Sequence, residues 1–279
     1  GEAPSQHDFD HVYTHQLYAG FGHKQFGELT YGNMVTITDE VKQSDLANTY
    51  SLTDGLLETS ARRVTQYVYN GDYGSNKVKF GAYYGGSSKR NIKNVDLKNN
   101  RKNTWGTGLI FNHEIDSIQN VTVAAGFTRQ ISENANKTAY YSNAYALGLA
   151  YNFVHTTYGL DLAHKDTKNK GGAGNKVKNN EVTAVIRQGL NEDWNVYAMY
   201  SYKTEKTLPV GSAYSKSTDR QFLVGTEYYV FKQGSVKVKP FIEWQATRTK
   251  YENTFDKDSG KQLDRSRDFK TVIGLRAYW

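Results

Sequence analysis

Hydrophobic and polar residues alternate along much of this chain with a period of two. From Phe269 to Trp279 the odd positions read Phe269, Thr271, Ile273, Leu275, Ala277 and Trp279. The even positions read Lys270, Val272, Gly274, Arg276 and Tyr278. Successive side chains of a strand point to opposite faces, so one set meets an apolar surround while the other carries cations. Upstream, Val236, Val238, Pro240, Ile242, Trp244 and Ala246 alternate with Lys237, Lys239, Phe241, Glu243 and Gln245. The same phase runs through Phe222–Val230, Val196–Tyr202, Tyr145–Tyr151, Val121–Phe127 and Val78–Tyr84. Repeated alternating segments of about ten residues are the signature of a transmembrane β-barrel.

The connections sort by length. Short ones hold turn residues at His23-Lys-Gln, Asp116-Ser, Asn191-Glu-Asp and Lys232-Gln-Gly. Long ones are polar and charged, at 87–102, 133–139, 167–179, 207–217 and 251–264. Short turns at one rim and long loops at the other match a membrane barrel, whereas a soluble sandwich has no reason to sort them. The pattern predicts roughly thirteen antiparallel strands. They fall near 10–22, 27–36, 62–70, 76–86, 103–113, 119–131, 139–152, 157–166, 180–190, 194–206, 218–231, 235–250 and 265–279. An odd number cannot close an all-antiparallel ring, because the first and last strands would run parallel.

Composition sharpens this picture. The chain has 279 residues, a mean hydropathy of −0.72 and 38% hydrophobic residues, yet 14% are aromatic and 22 are Tyr. A disordered chain would be poor in aromatics. A barrel shows lipid only alternate side chains, and Tyr suits the level where ring meets headgroup. No run of about 18 apolar residues is present, which excludes transmembrane helices and says nothing against strands. There are no cysteines, so thiolate metal sites and Cys nucleophiles are excluded, and 3 prolines suit long strands. The net charge of +7 fits a solvated basic surface, or attraction of anionic solutes and lipopolysaccharide phosphates. Gly1-Glu-Ala-Pro has neither the charged start nor the apolar stretch of a signal peptide, so Gly1 reads as a processed start.

The segment LYAGFGHKQFGELTYGN, residues 17–33, resembles the strand–turn–strand signature of the general diffusion porins of Gram-negative outer membranes. The closing VIGLRAYW is similar to their last strand, which ends in a large aromatic. The resemblance implies a single barrel domain over 1–279 and a homotrimer in the outer membrane. It also implies an extracellular loop folded into the lumen. In that family the paired signature lies near the fourth and fifth of sixteen strands. The chain is therefore expected to show about 13 strands of 16, with its first strands missing. The resemblance gives Trp279 the role of an assembly signal. Two positions depart from the family: His15 and Asn33 stand about where many of these porins place arginines, which thins the basic wall of the pore.

Residues 37–60 are the candidate constriction, with Asp39, Glu40, Asp45, Asp54 and Glu58, followed at once by Arg62 and Arg63. Opposed acids and bases across a narrow pore set up a transverse field that orients polar solutes. Alternatively these acids merely solvate a loop or cap a short helix. Lys77, Lys79, Glu227, Lys237, Lys239, Glu243, Lys270 and Arg276 fall on the predicted lumen face. There they either bias the pore towards anions or keep it wet. Trp105, Trp194 and Trp244 are assigned to interfacial girdles.

No cofactor, metal or nucleic-acid partner is expected, and no enzyme chemistry. His7, His11 and His15 have helical metal-ligand spacing, but the segment from His11 reads as a strand. Gly171-Gly-Ala-Gly lies in a Lys-rich loop without the strand and helix of a phosphate cradle. The expected function is passive diffusion of small hydrophilic solutes and ions across the outer membrane. The expected partners are membrane lipid, lipopolysaccharide and two further copies of the chain. The competing reading is a surface-exposed barrel that binds a ligand or host factor without an open pore. The fate of residues 37–60 separates the two: inward in a porin, outward in a binding barrel.

Overall fold

The computed structural model describes residues 16–88, 100–134, 137–170, 175–208, 214–253 and 262–279. Among these residues fourteen strands form one sheet in which every pairing is antiparallel. They are β1 (Leu17–His23), β2 (Gly27–Val35), β3 (Ser60–Tyr73), β4 (Asn76–Gly85), β5 (Asn100–Asp116), β6 (Gln119–Asn134) and β7 (Lys137–Phe153). After them come β8 (Thr156–Asn169), β9 (Lys176–Gly189), β10 (Trp194–Leu208), β11 (Ser215–Tyr228), β12 (Phe231–Gln233), β13 (Val236–Asn253) and β14 (Gln262–Tyr278). The fragment β12 pairs with β13 just as β11 does. The two are one rank interrupted at Tyr229 and Val230, so the sheet has the thirteen ranks that periodicity predicts. β1 and β14 are its edges among the described residues, and they do not pair with each other.

The strands run longer than their apolar patterns. β13 has 18 residues and β5, β7 and β14 have 17 each, whereas crossing a bilayer takes about 9–11. Much of 133–139, 167–179, 207–217 and 251–264, expected as loop, is ladder: β6 reaches Asn134 and β7 begins at Lys137. Backbone pairing is indifferent to side-chain polarity, so the hairpins continue into water after the apolar face has ended. Residues 10–15 of the first expected strand, with His7, His11 and His15, lie outside the described residues, as does the Gly171-Gly-Ala-Gly loop.

The outward face is the one that periodicity assigns to lipid. Val236, Ile242, Ile273 and Leu275 are all exposed. In water such a surface would collapse on itself; against acyl chains it is at home. Aromatics band it: Trp105 packs on Phe127 at 4.8 Å, Phe127 on Tyr145 at 5.0 Å, and Trp244 stacks on Phe269 at 6.0 Å. Trp194 is exposed where β10 begins, and Trp279 is 91% exposed. The fold is an antiparallel transmembrane β-barrel.

Ile242 lies mid-way along the outward run of β13, facing Ile273 and Thr226 across the ladder. Ile242→Arg is expected to cost about 2–4 kcal/mol in reversible unfolding from lipid vesicles. Asn112→Arg, on the inner face, is expected to cost much less. A larger cost for Asn112→Arg would mean that the two faces had been assigned the wrong way round, and equal costs that neither faces lipid.

Candidate functional site

Between β2 and β3 the chain spends residues 36–59 inside the barrel. Ile37–Val41 make one short 3-10 turn, and Ile37, Thr38 and Val41 are buried. The segment fits there because a track of glycines crosses the inner wall beneath it. A Cβ on Gly81 of β4 would sit 2.9 Å from Ile37, and one on Gly108 of β5 would sit 3.2 Å from it. On Gly126 of β6 it would meet Leu57 at 2.7 Å and Val41 at 2.9 Å. On Gly148 of β7 it would lie 2.1 Å from the Val41 carbonyl oxygen, and on Gly159 of β8 2.5 Å from that of Gln43. Any larger residue at these positions would lift the segment off the wall. Two apolar clusters press it down: Val41 and Leu57 on Ala124 and Ala144, then Leu52 on Val185, Tyr197, Met199 and Leu223.

A segment with so little secondary structure leaves backbone N–H groups without partners, and a buried one must find an acceptor. The wall supplies carboxylates. Asp161 of β8 accepts from the Gln43 N–H at 2.9 Å, the Ser44 N–H at 2.7 Å and the Ser44 hydroxyl at 2.5 Å. Glu181 of β9 accepts from Asp54 at 2.7 Å and Gly55 at 3.1 Å. Glu243 of β13 accepts from three successive N–H groups, Asn48 at 2.5 Å, Thr49 at 3.0 Å and Tyr50 at 2.9 Å, and from the Tyr197 hydroxyl at 2.7 Å. Charge-assisted bonds of this kind are worth about 1.5–3 kcal/mol each. At the near end Gln66 Oε1 accepts from Ile37 N–H at 2.7 Å, and the Thr38 hydroxyl donates to the Glu58 carbonyl at 2.6 Å.

Asn48 is the far anchor. Besides its bond to Glu243, its side-chain amide donates to Glu227 at 2.8 Å and to the Tyr197 hydroxyl at 2.9 Å. Its carbonyl accepts from Arg276 of β14. Glu227 is held in turn by Lys239 at 2.7 Å, by Arg187 and by Asn195 at 3.1 Å. Residues 36–59 are thus tied to both ends of the sheet, from β3 to β14.

The segment's own acids face lysines. Glu40 meets Lys79 at 2.5 Å, Asp54 meets Lys203 at 2.6 Å and Glu58 meets Lys165 at 3.1 Å. Asp39 and Asp45 flank Lys42 at 3.8 and 3.7 Å. Arg62 and Arg63 are both exposed and make no ion pair among the described residues. They form a bulge in β3, where the β2 register shifts between Gly32 and Met34. Arg63 takes a φ of 53°, and its N–H donates to Asn33 Oδ1 at 3.1 Å. Asn33, which departs from the family pattern, therefore satisfies the donor that the bulge frees.

The predicted lumen residues divide. Glu243, Glu227 and Lys239 are buried in the anchor network, and Arg276 reaches it. Lys79 joins the segment, whereas Lys77 pairs with Glu114 at 3.0 Å and Lys270 with Asp268 at 3.2 Å. Lys237 is exposed near the short-turn rim. Sequence reasoning did not single out Asp161, Glu181, Lys165, Lys203, Asn48 or the glycine track. A signal existed: Asp161 interrupts the apolar pair Leu160 and Leu162, and the glycines recur at the inward phase of consecutive strands.

An antiparallel barrel with an apolar exterior and a long connection packed within it defines a membrane-spanning channel type of protein. The chain belongs to the Gram-negative porin family, which it matches over residues 3–240. The major outer membrane protein of Pasteurella multocida is 23% identical over 274 residues, covering 96% of this chain and 68% of that protein. Among solved structures, in-vitro folded OmpT, an outer membrane protein of Vibrio cholerae, aligns with a TM-score of 0.63 at 16% identity. That alignment covers 91% of this chain and 77% of OmpT. An anion-selective porin from Comamonas acidovorans aligns with a TM-score of 0.53 at 13% identity, over 91% of this chain and 74% of that one. The protein is an outer-membrane β-barrel.

Gly148→Val should lift the segment from its track without disturbing the outward face. Losing even one bond to Asp161 costs on the order of 1.5–3 kcal/mol, so exchange of the Gln43 and Ser44 amides should rise by about tenfold or more. The control Leu149→Val, one residue away and outward, should leave them protected. Unchanged exchange in Gly148→Val would show that the wall has slack for a side chain there.

Proposed function

We propose that this porin is a passive diffusion channel for small hydrophilic solutes and ions, with residues 37–60 as its constriction. The observation that carries the reading is the segment's attachment from β3 to β14, which leaves it lying across the lumen. Its acids Asp39, Glu40, Asp45, Asp54 and Glu58 then share the passage with Lys79, Lys165 and Lys203 of the wall. Arg62 and Arg63 stand at the root of the segment as cations without an ion pair among the described residues. Charged groups in this setting keep the passage wet and sort solutes by polarity and charge. A barrel that displayed the segment to bind a partner would spend it outside, so the pore reading is favoured over a closed binding barrel. We read the lumen as non-enzymatic, since its most buried acids are occupied in holding the segment.

The assembly in this reading is a homotrimer, as in the trimer form of OmpT. We also propose that strands beyond the described ones complete the barrel. Thirteen antiparallel ranks bring first and last strands into the same direction, so antiparallel closure takes an odd number more, and bacterial single-chain barrels have even counts.

The test is conductance of the full-length protein in planar bilayers. Stable ohmic steps are expected, and their absence would favour the binding barrel. Under a salt gradient, Arg62→Ala plus Arg63→Ala should move the reversal potential towards cation preference. An unchanged potential would confine both arginines to shaping the bulge.

A further inference from the structure

Below residues 36–59 the inner wall from β3 to β8 changes chemistry. The register carries two inward rows along it. One runs through Asp72, Lys77, Asn112, Thr122 and Ala150. The next, nearer the short-turn rim, runs through Glu114, Asn120, Asn152 and Thr157. Beyond Asn112 and Glu114 both rows are uncharged across β6, β7 and β8. Their amides and hydroxyls are linked to one another. Asn112 Nδ2 donates to Thr122 Oγ1 at 2.8 Å, Asn152 Nδ2 to Asn120 Oδ1 at 2.8 Å, and the Thr157 hydroxyl to Asn152 Oδ1 at 2.7 Å. A side-chain amide has two donor hydrogens and two acceptor lone pairs, so each keeps capacity to spare towards the lumen.

A cleft of about 290 Å³ lies at the head of these rows, lined by Asn70, Asp72, Lys77, Lys79, Ile110 and Asn112. It sits directly beneath the segment, because Lys79 reaches up to Glu40 at 2.5 Å and Ile110 packs on the cluster of Val41 and Leu57. Both ammoniums are engaged, Lys79 by Glu40 and Lys77 by Glu114 at 3.0 Å. Other polar groups are open. Asn70 has no side-chain partner among the described residues. Asp72 spends Oδ1 on the Gly74 N–H of the turn at 3.2 Å, which leaves Oδ2 for a visitor. Asn112 gives its Nδ2 to Thr122 and keeps Oδ1. Ile110 supplies one apolar side. Small-molecule pockets begin at about 300 Å³, so the space suits a single small ring.

We propose that this cleft is a subsite for neutral polyhydroxylated solutes, holding one sugar ring, and that the uncharged rows beyond it are their exit lane. The inference rests on the pore reading and names a solute class within it. Asp72 accepts from neighbouring hydroxyls, Asn70 and Asn112 bond a further one, and the C–H face of the ring lies on Ile110. A sugar fits this mixture because each of its hydroxyls both donates and accepts. An anion would meet Asp72, an acid without an ion pair among the described residues, and would have to take an ammonium from Glu114 or Glu40. A simple cation gains nothing from the amides or from Ile110. Bonds to the wall replace bonds to water, so the net gain is small and the visit brief, as a passing solute requires.

The experiment records single channels of the full-length protein in planar bilayers in KCl, with added glucose, gluconate or a poly(ethylene glycol) of similar hydrodynamic size. Conductance is corrected for the effect of each additive on the bulk solution. Glucose should lower it saturably, with half effect on the order of 1–10 mM. Gluconate, which is charged, and the polymer, whose chain accepts but does not donate, should need about tenfold more or show only the bulk effect. Asn70→Leu should weaken the glucose effect about threefold or more, and Asn70→Leu plus Asp72→Leu about tenfold or more. The KCl steps of each variant report that it has folded. Asp72→Asn keeps an oxygen for the Gly74 N–H and can still bond hydroxyls, so it should hold the glucose effect within about threefold. Channels that conduct but show only the bulk effect of glucose would overturn the subsite and leave the pore in place. So would an undiminished effect in the Leu variants, or gluconate as potent as glucose. A loss in Asp72→Asn as deep as in the double variant would mark a cation site and overturn the proposal as well. No conductance at all would remove the pore reading, and this inference with it.

Discussion

The interior of this barrel depends on carboxylates that hold backbone rather than solute. Asp161, Glu181 and Glu243 stand on three different strands, and each takes N–H groups from residues 36–59. The segment makes one short 3-10 turn and satisfies only a few of its remaining donors itself, Leu46 through the Ser44 carbonyl and Leu57 through that of Gly55. If these acids were absent, its burial would leave amides unpaired at roughly 1–3 kcal/mol each, and water would be the better partner. The lumen owes its shape to this exchange. The wall gives up acids that face the pore, and in return a stretch of irregular chain becomes fixed.

Shape complementarity makes the exchange possible. The glycines at 81, 108, 126, 148 and 159 bring the segment's backbone close enough for short bonds to Asp161. The track and the anchors are therefore interdependent. Glycines without acceptors would leave a groove filled by water, and acceptors behind larger side chains would be out of reach. On the opposite face of the same strands the requirement is only that side chains be apolar, so the two faces are constrained to different degrees.

That asymmetry decides how much the sequence discloses. The lipid-facing phase of β13 and β14 stands out because burial in hydrocarbon acts on every second residue in the same sense. The strand number followed from it, and the long connection between β2 and β3 was recognisable from its length and acidity. Contacts inside the lumen were harder to read. Asp161 and Glu181 are single polar residues in strands that already alternate, and nothing local says that they face backbone amides rather than water. Arg62 and Arg63 drew attention as adjacent cations, yet the acids of the segment settle on Lys79, Lys165 and Lys203. Those partners lie on β4, β8 and β10, and only the closing of the sheet brings them near. Strand ends were overextended as loops because polarity rises before pairing stops.

The Asn48 anchor also bears on the order of assembly. Its bond to Glu243 joins residues 195 apart in sequence, and its bond to Arg276 joins residues 228 apart. Such closures are reached late, because each must first bring distant parts of the chain together. A growing sheet that has reached only β6 can hold the segment through Gln66 and Thr128, at its near end. The far end stays unfastened until β13 and β14 are in place. The lumen of a half-built barrel is thus looser than that of the finished one, and the passage acquires its final bore as one of the last events of folding.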